Sequence, residues 1–376
     1  MKIPISQPSI TSRERKHVLE AIDSGWISSL GEFIPLFQDM LAEKVQRKHA
    51  LACSNGTVAL ELALRALGIG PGDEVIVPAF TFVSPAAVVK QVGATPVFVD
   101  IHPDHWTINI DLIPSAITER TKAVIAVDVL GHPFDWFFIK DRLKAGNITL
   151  IEDAAEAHGA KHRYNFDSNW KQIDCGRMGD ISTFSFYGNK TISTGEGGAI
   201  LTDDTELFGK IKLIANHGMR PERNYWHEVV GMNGRMTNIT AAIGVAQMER
   251  WEELVTARRL VAKHYDERLS DLFAENLLHR KPVAHWASES CWLYSVYSDQ
   301  RQLYLDNLHH AGIDARAVWP MLPDNPAYAG SKGQWPVAKK IAAQGFCLPT
   351  WAGMDTCTID QICEVLHATV SELQPI

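Results

Sequence analysis

Lys190 carries the most chemical potential in this sequence. It lies within Ser182–Gly198, STFSFYGNKTISTGEGG, between two strand-like runs rich in aromatics and glycine. A lysine in ordinary surroundings is a solvated charge. Burial in a setting like this one lowers its pKa and makes its amine a nucleophile. Gly195, Gly197 and Gly198 let the backbone pass close to a ligand. A second candidate is Asp153, which follows the apolar run Thr149–Glu152, with Glu152 before it and Glu156 after it. In open α/β sheets ligands sit outside the carboxyl ends of the strands. A carboxylate there could hold a cationic ring nitrogen or a metal, or simply cap a helix. The third segment is Ser54-Asn55-Gly56-Thr57, directly before a helical pattern. Free N–H groups at a helix start, with a glycine allowing close approach, suit a phosphate, and they equally suit a plain N-cap. The fourth is Pro78-Ala79-Phe80-Thr81-Phe82, whose aromatics after a strand end could cover a planar ring or fill the core.

Together the four supply a phosphate cradle, an acid for a pyridinium nitrogen, a flat cover and an amine that can form a Schiff base. Those are the parts of a pyridoxal 5'-phosphate site, and their chemistry is amino transfer. Rival signals are weak. No GxGxxG follows a strand, and Gly68, Gly70 and Gly72 end a helix instead. Tyr187 and Lys190 are spaced YxxK, one residue short of a YxxxK pair, and no P-loop occurs. His217 and His227 lack partners at metal-ligand spacing, no CxxC is present, and no metal site is expected.

These residues need elements to hold them. Apolar runs at Glu74–Pro78, Thr95–Asp100, Ala123–Val129, Thr149–Glu152, Thr183–Phe186 and Ala199–Leu201 predict strands. They alternate with helical patterns such as Ser12–Ser24, with Ser12 as N-cap, and Thr57–Leu67. This predicts an α/β fold with a mostly parallel sheet covered on both faces. Asn165–Lys171 reads as a polar loop and Thr237–Val261 as one helix. Beyond it, Trp292–Val296, Ser298–Ala311 and Thr358–Leu373 read as a smaller α+β unit. The expected division is a large domain over 1–250 and a small C-terminal one over 251–376.

The 376 residues suit about two domains at ~150 residues each. With 46% hydrophobic and 21% charged residues, the chain has enough apolar side chains for a large core, which excludes a disordered protein. Lys+Arg is 36 against 44 Asp+Glu, a net charge of −8, which speaks against nucleic-acid binding. The six cysteines are scattered, as expected of free thiols in a reducing compartment. The N-terminus has no apolar h-region, and Val75–Val89 is interrupted by Pro78 and Pro85, so no membrane association is expected. The expectation is a soluble cytoplasmic protein.

Several segments carry a family resemblance: Asp23–Ser29 (DSGWISS), SNGTVAL (54–60), GPGDEVIVPAFTFV (70–83) and IEDAAEAHGA (151–160). GDISTFSFYGNKTISTGEGG (179–198), RMTNITAAIGVAQMER (235–250) and CLPTWAGM (347–354) complete the set. Over nearly its whole length the chain resembles the nucleotide-sugar aminotransferases of the DegT/DnrJ/EryC1/StrS group. The resemblance implies a pyridoxal-phosphate fold of type I, with a large cofactor-binding domain and a smaller C-terminal α+β domain. It implies that Lys190 holds the cofactor aldehyde and moves protons, and that Asp153 pairs with the ring nitrogen. It places Phe82 against the ring, Gly56, Thr57 and Ser185 at the phosphate, and Glu156 beside the cofactor. Asn233 would reach the cofactor phosphate of a partner subunit, because these sites are shared across a homodimer.

The likeness is greatest to members that use L-glutamate to aminate the C4 ketone of GDP-4-keto-6-deoxy-D-mannose, an NDP-4-keto-6-deoxyhexose. The particular likeness includes the Tyr225-Trp226 pair. Such products enter bacterial surface polysaccharide, including lipopolysaccharide O-antigen. Some relatives carry histidine in place of the lysine and are dehydratases; Lys190 favours transamination. Two departures bear on the sugar more than on the chemistry. Gly234 stands where those members read tyrosine in Asn-Tyr-Arg, and Pro323 stands where they carry a histidine. A dTDP- or UDP-linked sugar, or amination at C3, is the alternative.

Overall fold

The computed structural model describes residues 2–373 except 167, 168 and 221. The strands in chain order are β1 (His49–Cys53), β2 (Glu74–Pro78), β3 (Thr95–Val99), β4 (Thr121–Val127) and β5 (Thr149–Asp153). They continue with β6 (Lys161–Phe166), β7 (Asn169–Asp174), β8 (Ile181–Ser185) and β9 (Gly198–Thr202). Seven of them form one sheet in the order β1-β9-β8-β5-β4-β2-β3. Only β9 runs against its neighbours, so the sheet is mostly parallel and the architecture is α/β.

The central strands are buried on both faces, which is why they read as continuous apolar runs. In β2, Val75 and Val77 pack into one hydrophobic cluster and Ile76 into another. In β4, Ala123, Ile125 and Val127 join the first cluster while Val124 and Ala126 join the second. The two clusters are thus the two faces of the sheet. The helix Gly56–Ala66 buries Ala59, Leu60, Leu62, Ala63 and Leu64 against the first face.

The remaining strands are β10 (His279–Arg280), β11 (Ala287–Ser288), β12 (Tyr294–Tyr297), β13 (Arg316–Ala317) and β14 (Gly345–Leu348). Four of these form an antiparallel sheet ordered β10-β12-β14-β13, over a third cluster that includes Tyr265, Tyr294, Phe346 and Leu366. The chain's beginning joins this part. Ile3 belongs to the same cluster and accepts a bond from Asp314 N at 2.8 Å.

Four local expectations need correction. The first helix is capped by Thr11, not Ser12, because Glu14 lies three residues after Thr11 and closes a capping box with it. Within the expected loop Asn165–Lys171, Asn165–Phe166 and Asn169–Lys171 are strand, in the paired β6 and β7, and β6 also pairs with β11; residues 167 and 168 lie outside the described residues. Thr237–Val261 is not one helix but parts of two, Asn238–Met248 and Trp251–Arg268. At the break, the Arg250 guanidinium binds Ser9 O at 3.0 Å and Glu14 at 3.2 Å. Finally, β1 was not anticipated. All six cysteines are free, and Cys357 is exposed.

Arg258, on the long helix Trp251–Arg268, is fully buried and ties several segments together. It donates to Trp292 O, to Thr350 O at 3.3 Å, to Ser6 Oγ at 3.3 Å, to Asn189 O at 3.1 Å and to Lys190 O at 3.4 Å. These partners are carbonyls and one hydroxyl, and burial brings the guanidinium down to about 9. Arg258→Leu strips charge-assisted bonds from all of them. We expect urea denaturation to show a loss of about 3 kcal/mol, far above that of an exposed arginine change.

Candidate active site

The carboxyl ends of β2, β4, β5 and β8 open onto a cavity of about 790 Å³. Gly56, Thr57, Phe82, Asp153, Glu156, Ser185 and Lys190 all line it. Asn233 does not. It is exposed, accepts from Arg235 Nε at 3.0 Å and sits in an antiparallel bridge with Asn216.

Lys190 is held by a turn. Its N–H bonds Tyr187 O at 2.9 Å, while Phe186 pairs with Gly197 and Thr194 at 2.8 Å. The side chain is buried, with Nζ 3.6 Å from Glu156 Oε1. Burial depresses the amine below its ordinary value, against the pull of Glu156 and Asp153. Glu156 is raised by its own burial and held by the N–H of Leu130 at 2.7 Å. Leu130 has φ 54°, a left-handed conformation that a branched side chain rarely adopts. The backbone is therefore held in an unusual geometry where it meets this carboxylate.

Asp153 ends β5, deep in the cavity, and accepts from Ala155 N at 3.1 Å and Thr183 Oγ1 at 3.4 Å. Burial pushes its carboxyl up to about 7, with Glu156 adding to the rise. Those two bonds are too few to satisfy a buried anion, so the site favours a cation at this carboxylate.

Above it, Asn55 caps the helix Gly56–Ala66 by accepting from Val58 N at 2.9 Å. The helix N-terminus presents Gly56 and Thr57 to the cavity beside Ser185, and Thr57 Oγ1 meets Ser84 Oγ at 2.7 Å. A Cβ on Gly56 would come within 2.8 Å of Ser185 Cβ, and one on Gly198 within 2.3 Å of Asn55 backbone. This is a cradle that side chains would fill, at a helix end that attracts anions. Gly198→Ala must therefore push β9 away from the Asn55–Gly56 turn. We expect a stability loss of about 3 kcal/mol by denaturation and at least tenfold weaker phosphate-ester binding by calorimetry.

Phe82 is half exposed and meets Trp319 edge-on, with centroids 6.3 Å apart. Trp292, Trp319 and Arg316 also line the cavity, and the sequence pattern singled out none of them as a site residue. They come from a later part of the chain, and no spacing links them to Lys190. Among the described residues lining the cavity, Lys190 and Arg316 are the basic ones, facing Glu61, Asp153, Glu156 and Glu196. Gly234 packs against Val58 and Leu62, where a Cβ would lie 3.3 Å from each. Pro323 lies in a 3₁₀ turn outside the lining. Among the described residues no helix is long and apolar enough to cross a membrane.

The chain is similar along its length to two bacterial proteins named GDP-perosamine synthase. That of Caulobacter vibrioides is 41% identical, over 97% of this chain and 97% of that protein. That of Escherichia coli O157:H7 is 38% identical, over 98% and 99%. Among solved structures, the Streptococcus pneumoniae sugar aminotransferase Spr1654 in its PLP-form superposes with a TM-score of 0.90. It is 28% identical, and the alignment covers 100% of both chains. The sequence model of the DegT/DnrJ/EryC1/StrS aminotransferase family matches residues 8–367. With the lysine, the two acids and the anion cradle gathered at one cavity, the chain belongs to the DegT/DnrJ/EryC1/StrS aminotransferase family.

Proposed function

We propose that this enzyme uses pyridoxal 5'-phosphate to transfer the amino group of L-glutamate to the C4 ketone of GDP-4-keto-6-deoxy-D-mannose. The product would be GDP-perosamine, destined for bacterial surface polysaccharide. The observation that carries the reading is the buried Lys190–Glu156–Asp153 constellation below the Gly56 cradle. The residues fit the cofactor. Gly56, Thr57 and Ser185 would hold its phosphate, Phe82 would cover its ring, and Glu156 would lie beside it. Asp153, short of hydrogen bonds and pushed up to about 7, would meet a cationic ring nitrogen.

When bound, this cofactor supplies an electron-accepting ring that weakens the bond to a substrate's α-hydrogen. The protein's part is to place charge and move protons. Asp153, anionic beside a ring cation, keeps a proton on the nitrogen. Lys190, with an amine depressed by burial, can take a proton and hand it back.

The relatives named GDP-perosamine synthase support the choice of sugar. A second copy of the chain would complete the site by bringing Asn233 to the phosphate of its partner's cofactor. Large apolar side chains stand exposed in the monomer, among them Tyr225 at 87% and Val230 at 92%, and this favours such a homodimer. We also place the domain division at residue 250, and the enzyme in the cytoplasm, in keeping with its free thiols.

The test is a visible spectrum of the purified protein before and after L-glutamate. A cofactor band that bleaches with glutamate and returns with the keto-sugar supports the reading. No band even after added cofactor overturns it. NMR of the product separates C4 from C3 amination, and parallel assays with dTDP- and UDP-linked keto-sugars test the nucleotide.

A further inference from the structure

The Lys190 amine lies over the face of an indole. Its Nζ is 3.7 Å from the ring centroid of Trp292, with Glu156 3.6 Å away. Trp292 is buried, and its Nε1 donates to Asn189 O at 2.9 Å. The ring is therefore pinned to the same turn that carries the lysine. Trp319 stacks against it at 6.4 Å and stiffens it further.

The charged neighbours of this amine divide clearly. Glu156 and Asp153 favour its cationic form, while burial and Arg258 oppose it. His158, buried among aromatic rings, is held neutral by burial. Both acids that favour the cation can also accept its proton. The indole face cannot. It attracts an ammonium through its quadrupole and offers no basic atom there.

We propose that Trp292 is a positioning residue whose indole face seats the Lys190 ammonium, holding the amine in the cavity and its proton on Nζ whenever the lysine is not covalently engaged. This rests on the aminotransferase reading for its purpose, but not for its test. During turnover the lysine must be freed, hold a proton and deliver it. An aromatic seat keeps that proton from passing to Glu156.

The test reads the charge of Lys190 in the full-length chain stripped of cofactor with hydroxylamine. Acetic anhydride labels the neutral amine, and peptide mass spectrometry gives the pH midpoint of labelling at Lys190. Trp292→Leu is expected to lower that midpoint by about one unit, the worth of a desolvated cation–π contact. Trp292→Phe keeps a π face but loses the bond to Asn189 O, and is expected to lower it by less than half as much. An unchanged midpoint in the leucine variant overturns the proposal. So does an equal shift in both variants, which would assign the effect to the lost hydrogen bond. If the leucine variant does not fold, wild-type protein grown with 5-fluorotryptophan weakens the ring face without changing its shape. A smaller downward shift is then expected, and no shift overturns the proposal. Because labelling needs neither cofactor nor sugar, failure of the aminotransferase reading leaves this result intact. A protein that binds the cofactor normally yet shows no Trp292 effect overturns the indole seat alone.

Discussion

Lys190→Ala should lower multiple-turnover amino transfer by about 10³-fold or more, because one side chain serves as both covalent anchor and proton carrier. The geometry leaves no substitute. Among the described residues lining the cavity, the other basic group is Arg316, whose guanidinium is tied to Asp314 at 2.7 and 3.0 Å and cannot act as a base at neutral pH. Lys190→Arg keeps the positive charge near Glu156 but supplies no nucleophilic amine, so it should be as inactive as the alanine variant. Small primary amines added to Lys190→Ala should restore part of the proton transfer, as the vacated space lies against the open cavity. Steady-state kinetics with L-glutamate and the keto-sugar decide the matter. Undiminished turnover in Lys190→Ala would remove the basis of the proposed mechanism.

Asp153→Asn should separate activity from stability. With no ring cation beside it, and despite the pull of Lys190, Asp153 is pushed up to about 7 by burial, from an ordinary carboxylate value of 3.8. The folded pKa is thus the higher one. Its contribution to stability is fully present below about pH 4 and is lost as pH rises toward 7. The loss is at most about 4 kcal/mol, from ~3 units at 1.36 kcal/mol each. Measured against the asparagine variant, cofactor-free wild type should therefore lose stability between pH 4 and 7, since every other titrating group is common to both. At pH 8 the cofactor-free variant should be the more stable of the two, by at least about 1 kcal/mol in urea, with the difference gone near pH 4. Amino transfer should nevertheless fall by about 10²- to 10³-fold, because a neutral amide cannot hold a proton on the ring nitrogen. A variant with parallel pH–stability curves would show that Asp153 is not strained in the empty cavity.

The legible parts of this fold are those where burial on both faces leaves a continuous apolar run. EVIVP in β2 and AVIAV in β4 are of this kind, while the helix that begins at Gly56 is legible from its period, with Ala59, Leu60, Leu62, Ala63 and Leu64 on its buried side. HALAC, in β1, escaped notice because its alanines carry no β-branched signature. The β6–β7 hairpin escaped because a polar, charged sequence on a small outer sheet resembles a loop. The break at Arg250 is set by long-range partners, Ser9 and Glu14, which helical periodicity cannot register. The site divides in the same way. Lys190, Asp153 and Gly56 sit in local contexts whose residue types already imply chemistry. Trp292 does not. It meets the turn before Lys190 across 103 residues, and an apolar tryptophan ahead of a strand looks like ordinary core.

Ser6 Oγ donates to Thr350 O at 2.9 Å, and Arg258 joins Ser6 to the carbonyls of Asn189 and Lys190. The first few residues and one of the last strand exits therefore grip the lysine turn together. This has a consequence for synthesis. A ribosome releases the sheet strands through β9 long before Thr350 emerges, yet the clamp on the turn is not complete until it does. The nascent large sheet can form early, whereas the reactive amine gains its final setting only as the closing stretch folds back onto the opening one. Chains halted before residue 350 would then carry a folded sheet and a lysine turn short of part of its clamp, so that the amine's final setting comes late in folding.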